Sequence, residues 1–320
     1  MKTLAPPSLA EIRAARERLG DSVRRTPLVH LELEGAPAPL WLKLENLQPI
    51  GSFKLRGAGN ALLAADPATL ARGVYTASAG NMAQGVAWHA RRLGVPCAVV
   101  VPEQAPRAKL AAIERLGARL VPVPYERWWQ VLVEHGYPGL DGLFVHPVSD
   151  PAVLAGNGTI ALEIAEELPE VAAVVAPYGG GGLSCGIAAG LRALRPDVRV
   201  WAAEVDTAAP LSASLAAGEA RAIEHRASFV DGIGGRSVLA EMWPLASSLL
   251  AGALVVPLAE VAAAVLTLAT RARVVAEGAG AAALAAALTG RAGSGPTVCV
   301  VSGGNIDPSK LATILAGGIP

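Results

Sequence analysis

Short runs of aliphatic residues recur along the chain with almost no polar position inside them, at 40–44, 96–101, 171–176, 198–203 and 297–301. A strand with one wet face alternates apolar and polar residues. A strand that is apolar throughout is covered on both faces, as in a parallel sheet between helix layers. Between these runs lie alanine-rich stretches with helical patterning, at 82–93, 107–116 and 183–194. The alternation predicts an α/β fold of open, twisted, mostly parallel sheets with helices on both faces. Residues 73–148 contain a βαβαβ series of their own, with strand-like runs at 74–77, 98–101, 119–123 and 143–146. This predicts a small mobile domain at 73–148, inserted into a larger one built from 1–72 and 149–320. Asp150-Pro151 and the following Gly156-Asn157-Gly158 read as the turn back into the larger domain.

Composition adds bounds rather than detail. Of 320 residues, 52% are hydrophobic and 17% charged, so much of the chain is expected to be buried, and two medium domains fit the length. No apolar run reaches the length of a membrane span. Residues 1–18 carry two prolines and then an amphipathic helical pattern, without the apolar core of a leader, which predicts a cytoplasmic protein. Net charge is zero and the basic residues are dispersed, which argues against nucleic acid or an anionic membrane as partner. Cys97, Cys185 and Cys299 are far apart in apolar contexts and read as buried free thiols. The five histidines show no metal-ligand spacing along the chain.

Candidate chemistry starts from a lysine. The chain has five lysines against 22 arginines, and Lys54 sits in Gly51-Ser52-Phe53-Lys54-Leu55-Arg56-Gly57, directly after the run 40–44. Arginine stays protonated near neutral pH, whereas a desolvated lysine can release its proton, and only the neutral amine attacks a carbonyl. Gly179-Gly180-Gly181-Gly182-Leu183 follows the run 171–176 and opens a helical stretch. Such a turn leaves backbone N–H groups open to a phosphate, with the helix dipole in support. The spacing Gly180-x-Gly182-x-x-x-Gly186 also resembles a nucleotide-binding fingerprint, and Glu204 stands about twenty residues on, where a ribose-binding acid would be. A nicotinamide-dependent oxidoreductase is therefore a competing reading, and a structural glycine turn the plainer one. Ser78-Ala79-Gly80-Asn81-Met82 is a second strand-to-helix turn, sized for a carboxylate, which by itself reads equally as a helix cap. Ser302-Gly303-Gly304-Asn305 follows the run 297–301, at the strand end where parallel sheets bind ligands.

Taken in this order, the four segments resemble the pyridoxal-phosphate enzymes of fold type II, and in particular the threonine/serine dehydratases and serine racemases. Arg25-Thr26-Pro27-Leu28, Leu42-Lys43-Leu44-Glu45-Asn46, His146-Pro147, Ala155-Gly156-Asn157-Gly158-Thr159 and Ala276-Glu277-Gly278-Ala279-Gly280 extend the likeness over nearly the whole chain. The resemblance implies two domains of tryptophan-synthase-β-like architecture, pyridoxal 5'-phosphate as cofactor, a small amino acid as substrate, and a homodimer. It implies that Lys54 holds the cofactor as a Schiff base and then acts as the base at the substrate Cα. Gly179, Gly180, Gly181 and Gly182, with Leu183, would hold the phosphate, Phe53 would pack on the ring, and Asn81 would meet the ring hydroxyl. Ser302 would face the pyridine nitrogen, and Ser78, Ala79, Gly80, Asn81 and Met82 would bind the substrate carboxylate. The implied reaction is loss of the β-hydroxyl from a β-hydroxy amino acid to give an enamine, which water hydrolyses to a 2-oxo acid and ammonia.

The departures carry information. Ala79 stands where the racemases have a serine serving the opposite face of the substrate, so dehydration is expected over racemisation. Met82 replaces a usual histidine, and Ile50 a common threonine. Glu204 and Ala208 match two ligands of the divalent-cation site found in some members, but Pro210 replaces the third, an acid, so the metal is not counted on. Trp128-Trp129 reads as packing, with a bulkier substrate such as 3-phenylserine, or 3-hydroxyaspartate, as the alternative. No regulatory domain is expected after the last motif.

Overall fold

The computed structural model describes residues 4–320. Residues 1–3, the start of the N-terminal stretch read above, lie outside the described residues. Ten strands follow one another: β1 Leu28–Leu31, β2 Leu40–Lys43, β3 Val74–Ala77, β4 Cys97–Pro102, β5 Arg119–Val123, β6 Leu143–Phe144, β7 Ala173–Pro177, β8 Arg199–Val205, β9 Gly252–Val256 and β10 Thr297–Val300. They form two sheets. The six-stranded sheet runs β1-β2-β10-β7-β8-β9 and is parallel except for β1, which pairs antiparallel with β2. The four-stranded sheet runs β5-β4-β3-β6 and is parallel throughout. Every residue of β3, β7 and β10 is buried, which accounts for their unbroken apolar character. In the larger sheet, β10, the last strand of the chain, lies between β2 and β7, so the carboxyl ends of these three parallel strands stand side by side.

The stretch read as a turn at Gly156-Asn157-Gly158 is instead the middle of a 17-residue helix, Pro151–Glu167. Asp150 caps it, accepting from the Ala152 and Val153 N–H groups. Its glycines mark close approaches, not a bend. A Cβ on Gly156 would lie 2.5 Å from the Arg56 carbonyl oxygen, and one on Gly158 3.0 Å from that of Gly186. The helices Lys54–Leu63 and Gly182–Leu194, which carry two of the four motifs, thus rest directly on Pro151–Glu167.

Arg56 lies beneath the site, 1% exposed. Its Nε and Nη2 atoms each donate to Glu45 at 2.8 Å, while Nη1 and Nη2 donate to Glu163 at 2.6 and 2.9 Å. Lys43 joins the same group, with Nζ 2.6 Å from Glu163 Oε2 and donating to the Thr26 carbonyl. Thr26 in turn donates through Oγ1 to Glu45. Three of the quoted segments, 25–28, 42–46 and 51–57, therefore meet Glu163 at one buried ion network.

The three cysteines are free; Cys185 and Cys299 are fully buried and Cys97 half-buried. Burial pushes each thiol up to about 12. The folded protein is accordingly expected to give no rapid reaction with a disulfide reagent at pH 8, and three equivalents after denaturation; a fast thiol in the native state would contradict the packing.

Candidate active site

The carboxyl ends of β3 and β7 and the residues just after β10 border a cavity of about 630 Å³. All the residues singled out at 53–54, 78–82, 179–183 and 302 line it. Sequence separation of up to about 250 positions is thus removed by the two sheets, each delivering its turns to the same space.

Lys54 opens the helix Lys54–Leu63. The chain enters through Gly51, whose φ of 72° belongs to the left-handed region, and a Cβ there would lie 2.8 Å from Asn305 Oδ1. Lys54 Nζ donates to the Pro147 carbonyl at 2.8 Å and lies 5.3 Å from the Phe53 ring centroid. Burial lowers the amine to about 8, against the opposing charge of Glu277. The neutral fraction near neutral pH is therefore far larger than for an ordinary lysine, although the ammonium still predominates below about 8.

The glycine loop runs from Gly179 into the helix Gly182–Leu194. Among the described residues, no protein acceptor takes the N–H groups of Gly179, Gly180, Gly181, Gly182 or Leu183. The loop admits no side chains. A Cβ on Gly180 would lie 2.5 Å from Val148 Cγ2, one on Gly182 3.0 Å from the Val148 carbonyl oxygen, and Gly181 has φ 94°. Asn157 Nδ2 donates to the Gly182 carbonyl at 3.0 Å and fixes the loop from below. The result is a cradle of free donors at a helix N-terminus, which fits a phosphate.

The turn after β3 has the same character. Gly80 N–H donates to Ser78 Oγ, and the helix Asn81–Leu93 begins without a side-chain cap. Among the described residues, the N–H groups of Ala79, Asn81 and Met82 have no protein acceptor. The Met82 side chain is buried with Val74 and Val86 in the apolar cluster behind the turn. Ser302 follows β10 and lines the cavity, and its carbonyl accepts from the Phe53 N–H at 3.0 Å.

Several lining residues had no role from sequence. Glu277 accepts from Asn81 Nδ2 at 2.9 Å, and burial together with the like charge of Asp231 pushes it up to about 7. Lys109 and Asp231, paired at 2.5 Å, join the helix Arg107–Arg115 to the turn Asp231–Ile233 on the cavity wall. Trp128 also lines the cavity, and among the described residues its buried Nε1 has no hydrogen-bond partner, while both Trp128 and Trp129 pack against the cluster around β3 and β4. Both rings therefore pack as read, and Trp128 in addition borders the cavity.

Glu204 does not line the cavity. It is fully buried, and its two carboxylate oxygens accept from Leu211 and Ser212 N–H at 2.8 Å each, capping the helix Pro210–Ala217. Neither oxygen is offered to a ribose, which removes the acid that the nicotinamide reading required. Nor do Glu204, Ala208 and Pro210 gather a set of ligating side chains. Among the described residues the one group of three His, Cys, Asp or Glu with ligand atoms within 4.8 Å is His135, His146 and Glu241. There the His146 Nδ1 already accepts from the Val148 and Ser149 N–H groups.

Residues 19–303 match the model of the family described as pyridoxal-phosphate dependent enzyme. The chain belongs to this family. The L-threonine ammonia-lyase of Geobacter sulfurreducens is 41% identical over 318 residues, covering 96% of this chain and 78% of that protein. Among solved structures, a threonine deaminase from T.th. superposes with a TM-score of 0.86 at 35% identity, covering 94% of this chain and 99% of that one. Maize serine racemase gives 0.88 at 28% identity, covering 98% of both chains. As a pyridoxal-phosphate dependent enzyme, the protein has a donor set that suits its cofactor: a cradle of free N–H groups for the phosphate, and an amine held near neutrality in the same cavity.

Proposed function

We propose that this enzyme eliminates water from L-threonine or a related β-hydroxy amino acid and releases a 2-oxo acid and ammonia. One observation carries the reading: a lysine amine held at about 8 shares a cavity with two separate turns whose N–H groups are free for anions. The names of the similar proteins point the same way. Pyridoxal phosphate, when bound, supplies an electron sink for the pair left by the Cα proton. The chain's own groups do the rest. The 179–183 donors would hold the phosphate, Phe53 would cover one ring face, and Asn81 and Ser302 would meet the ring oxygen and nitrogen. The turn at 78–82 would take the substrate carboxylate through Ala79, Asn81 and Met82 N–H, and so present Cα toward Lys54. The Pro147 carbonyl steadies the Lys54 amine, and the neutral form can take a proton. Ser302 brings a hydroxyl where a carboxylate would deepen the electron sink, which favours prompt departure of a β-substituent. Ala79 has no proton to return on the opposite face, which favours elimination over inversion.

Residues 73–148, whose four strands make their own sheet, would move as a small domain against 1–72 and 149–320. A homodimer in the cytoplasm completes the reading. Among the described residues no helix is long and apolar enough to cross a membrane.

The test is a panel of L-threonine, L- and D-serine, 3-phenylserine and 3-hydroxyaspartate, assayed for 2-oxo acid with the reconstituted protein. Turnover of L-threonine or L-serine is expected to lead. Interconversion of serine enantiomers faster than oxo-acid release would overturn the elimination reading. Preference for 3-phenylserine would support a second reading, a bulkier substrate, which the Trp128 ring in the cavity wall favours.

A further inference from the structure

Asn305, Asn81 and Glu277 form a hydrogen-bonded line along the cavity wall. Asn305 Nδ2 donates to the Ile50 carbonyl at 2.8 Å and to Asn81 Oδ1 at 2.7 Å, and Asn81 Nδ2 donates to Glu277 Oε1 at 2.9 Å. The ends of this line fix its direction. A peptide carbonyl can only accept, so Asn305 turns its NH2 toward Ile50 and Asn81 Oδ1, and Asn81 in turn points its NH2 toward Glu277, which accepts it as a carboxylate. The reverse setting of Asn81 would place its carbonyl oxygen against a carboxylate.

Glycines of three separate motifs make room for the line. A Cβ on Gly51 would lie 2.8 Å from Asn305 Oδ1, and one on Gly303 2.5 Å from Glu277 Oε1 and 3.3 Å from Asn81 Nδ2. Gly280 lets the helix Gly278–Leu288 come against the Gly303 carbonyl, which also accepts from the Glu277 N–H at 3.0 Å. These glycines serve a common purpose that their separate positions in sequence do not disclose. Asn81 spends one of its two amide hydrogens on Glu277, and among the described residues no protein acceptor takes the other.

We propose that Glu277 is a positioning residue: its carboxylate, together with the Asn305 amide at the other end of the line, holds the polarity of the Asn81 amide, so that Asn81 offers an N–H rather than an oxygen to the ring oxygen of bound pyridoxal phosphate. The inference rests on the cofactor reading above. An N–H at that point stabilises the deprotonated ring oxygen, whereas an amide oxygen would demand a proton there. Burial and Asp231 push Glu277 toward protonation, while the Asn81 bond and Lys109 oppose it, so carboxylate and amide support each other.

The experiment is a double-mutant cycle read by cofactor affinity, not turnover. Pyridoxal phosphate is titrated by absorption into the apoprotein of wild type, Glu277→Ala, Asn81→Ala and the double variant, with circular dichroism to verify folding. Glu277 packs against Gly303, so Glu277→Gln, which keeps the volume, is carried through a parallel cycle. Loss of the acceptor in Glu277→Ala should weaken binding about tenfold and alter the bound cofactor's spectrum when Asn81 is present, and Glu277→Gln, whose amide oxygen can still accept from Asn81, should lose less. In the Asn81→Ala background the further loss should be about twofold or less, with no further spectral change. Equal losses in both backgrounds, or no loss in either, would overturn the inference alone. A wild-type chain that takes up no cofactor would overturn the reading beneath it as well.

Discussion

Lys54→Ala is expected to leave the protein folded and unable either to bond pyridoxal phosphate covalently or to turn over an amino acid. The wild-type protein, loaded with cofactor and reduced with borohydride, should carry the label on the peptide containing Lys54; the variant should carry none. Turnover should fall by ~10³-fold or more, because the variant loses both the amine that bonds the cofactor and the base at the substrate Cα. Folding should survive. The Lys54 ammonium is desolvated in the wild type, and only the Pro147 carbonyl accepts from it among the described residues. A pH series sharpens the test. Below about 8 the ammonium predominates and cannot attack a carbonyl, so capture of the cofactor by wild-type apoprotein should slow as pH falls and level off above that value. A variant that still forms a borohydride-stable adduct would move the reactive amine elsewhere, with Lys109 the other lysine on the cavity wall.

How much of this site can be read before folding depends on where a residue's signal lies. The glycine loop, the 78–82 turn and Ser302 each follow an apolar run closely, and Lys54 lies in a glycine-bounded stretch one short helical turn beyond another, so local patterns mark them. Glu277 has no such flag. It follows no strand, and its meaning comes from Asn81, nearly two hundred positions away. Its only local signal is the density of glycine and alanine after it, which folding explains as clearance. Trp128 is similar: adjacent tryptophans read alike in sequence, both pack against the same cluster, and only their places on the helix Tyr125–Glu134 let Trp128 border the cavity as well.

The fold shows the same division. The runs at 74–77 and 119–123 become strands over those residues, and the other apolar runs shift by a few positions. Two strands are less visible. β1 is an edge strand with an exposed His30, and β9 starts at Gly252, where a Cβ would lie 2.8 Å from Trp201 Cζ3. Gly156-Asn157-Gly158 misleads for a related reason. Local preference reads a turn, but the helices carrying Lys54 and the glycine loop need a surface without side chains to rest on. Glu204 is ambiguous in sequence because an acid after a strand suits a ribose, a cation or a helix cap; the positions of the Leu211 and Ser212 N–H groups decide it.

Arg56→Ala should be the most destabilising single substitution near the site, by about 3–5 kcal/mol, although Arg56 touches nothing in the cavity. The side chain is 1% exposed and bridges two carboxylates in bidentate fashion. Removing it leaves Glu45 and Glu163 buried with Lys43 as the remaining cation, and opens a void under the helix that begins at Lys54. Thermal unfolding should come roughly 5–10 °C earlier. Arg56→Lys should recover only part of this, since an ammonium cannot reproduce the two paired contacts of a guanidinium. A pH series separates lost charge pairing from lost volume. Burial, the largest influence on Glu45, pushes its carboxyl up, but Arg56, Thr26 and Lys43 together hold it below the ordinary value. A carboxyl lowered on folding contributes stability above its unfolded value and loses that contribution as pH falls through the folded one. The gap between wild type and Arg56→Ala should therefore be widest near neutrality and narrow on acidification through the carboxylate range. A gap that stays constant with pH would assign the loss to packing and leave the ion network without a net stabilising role.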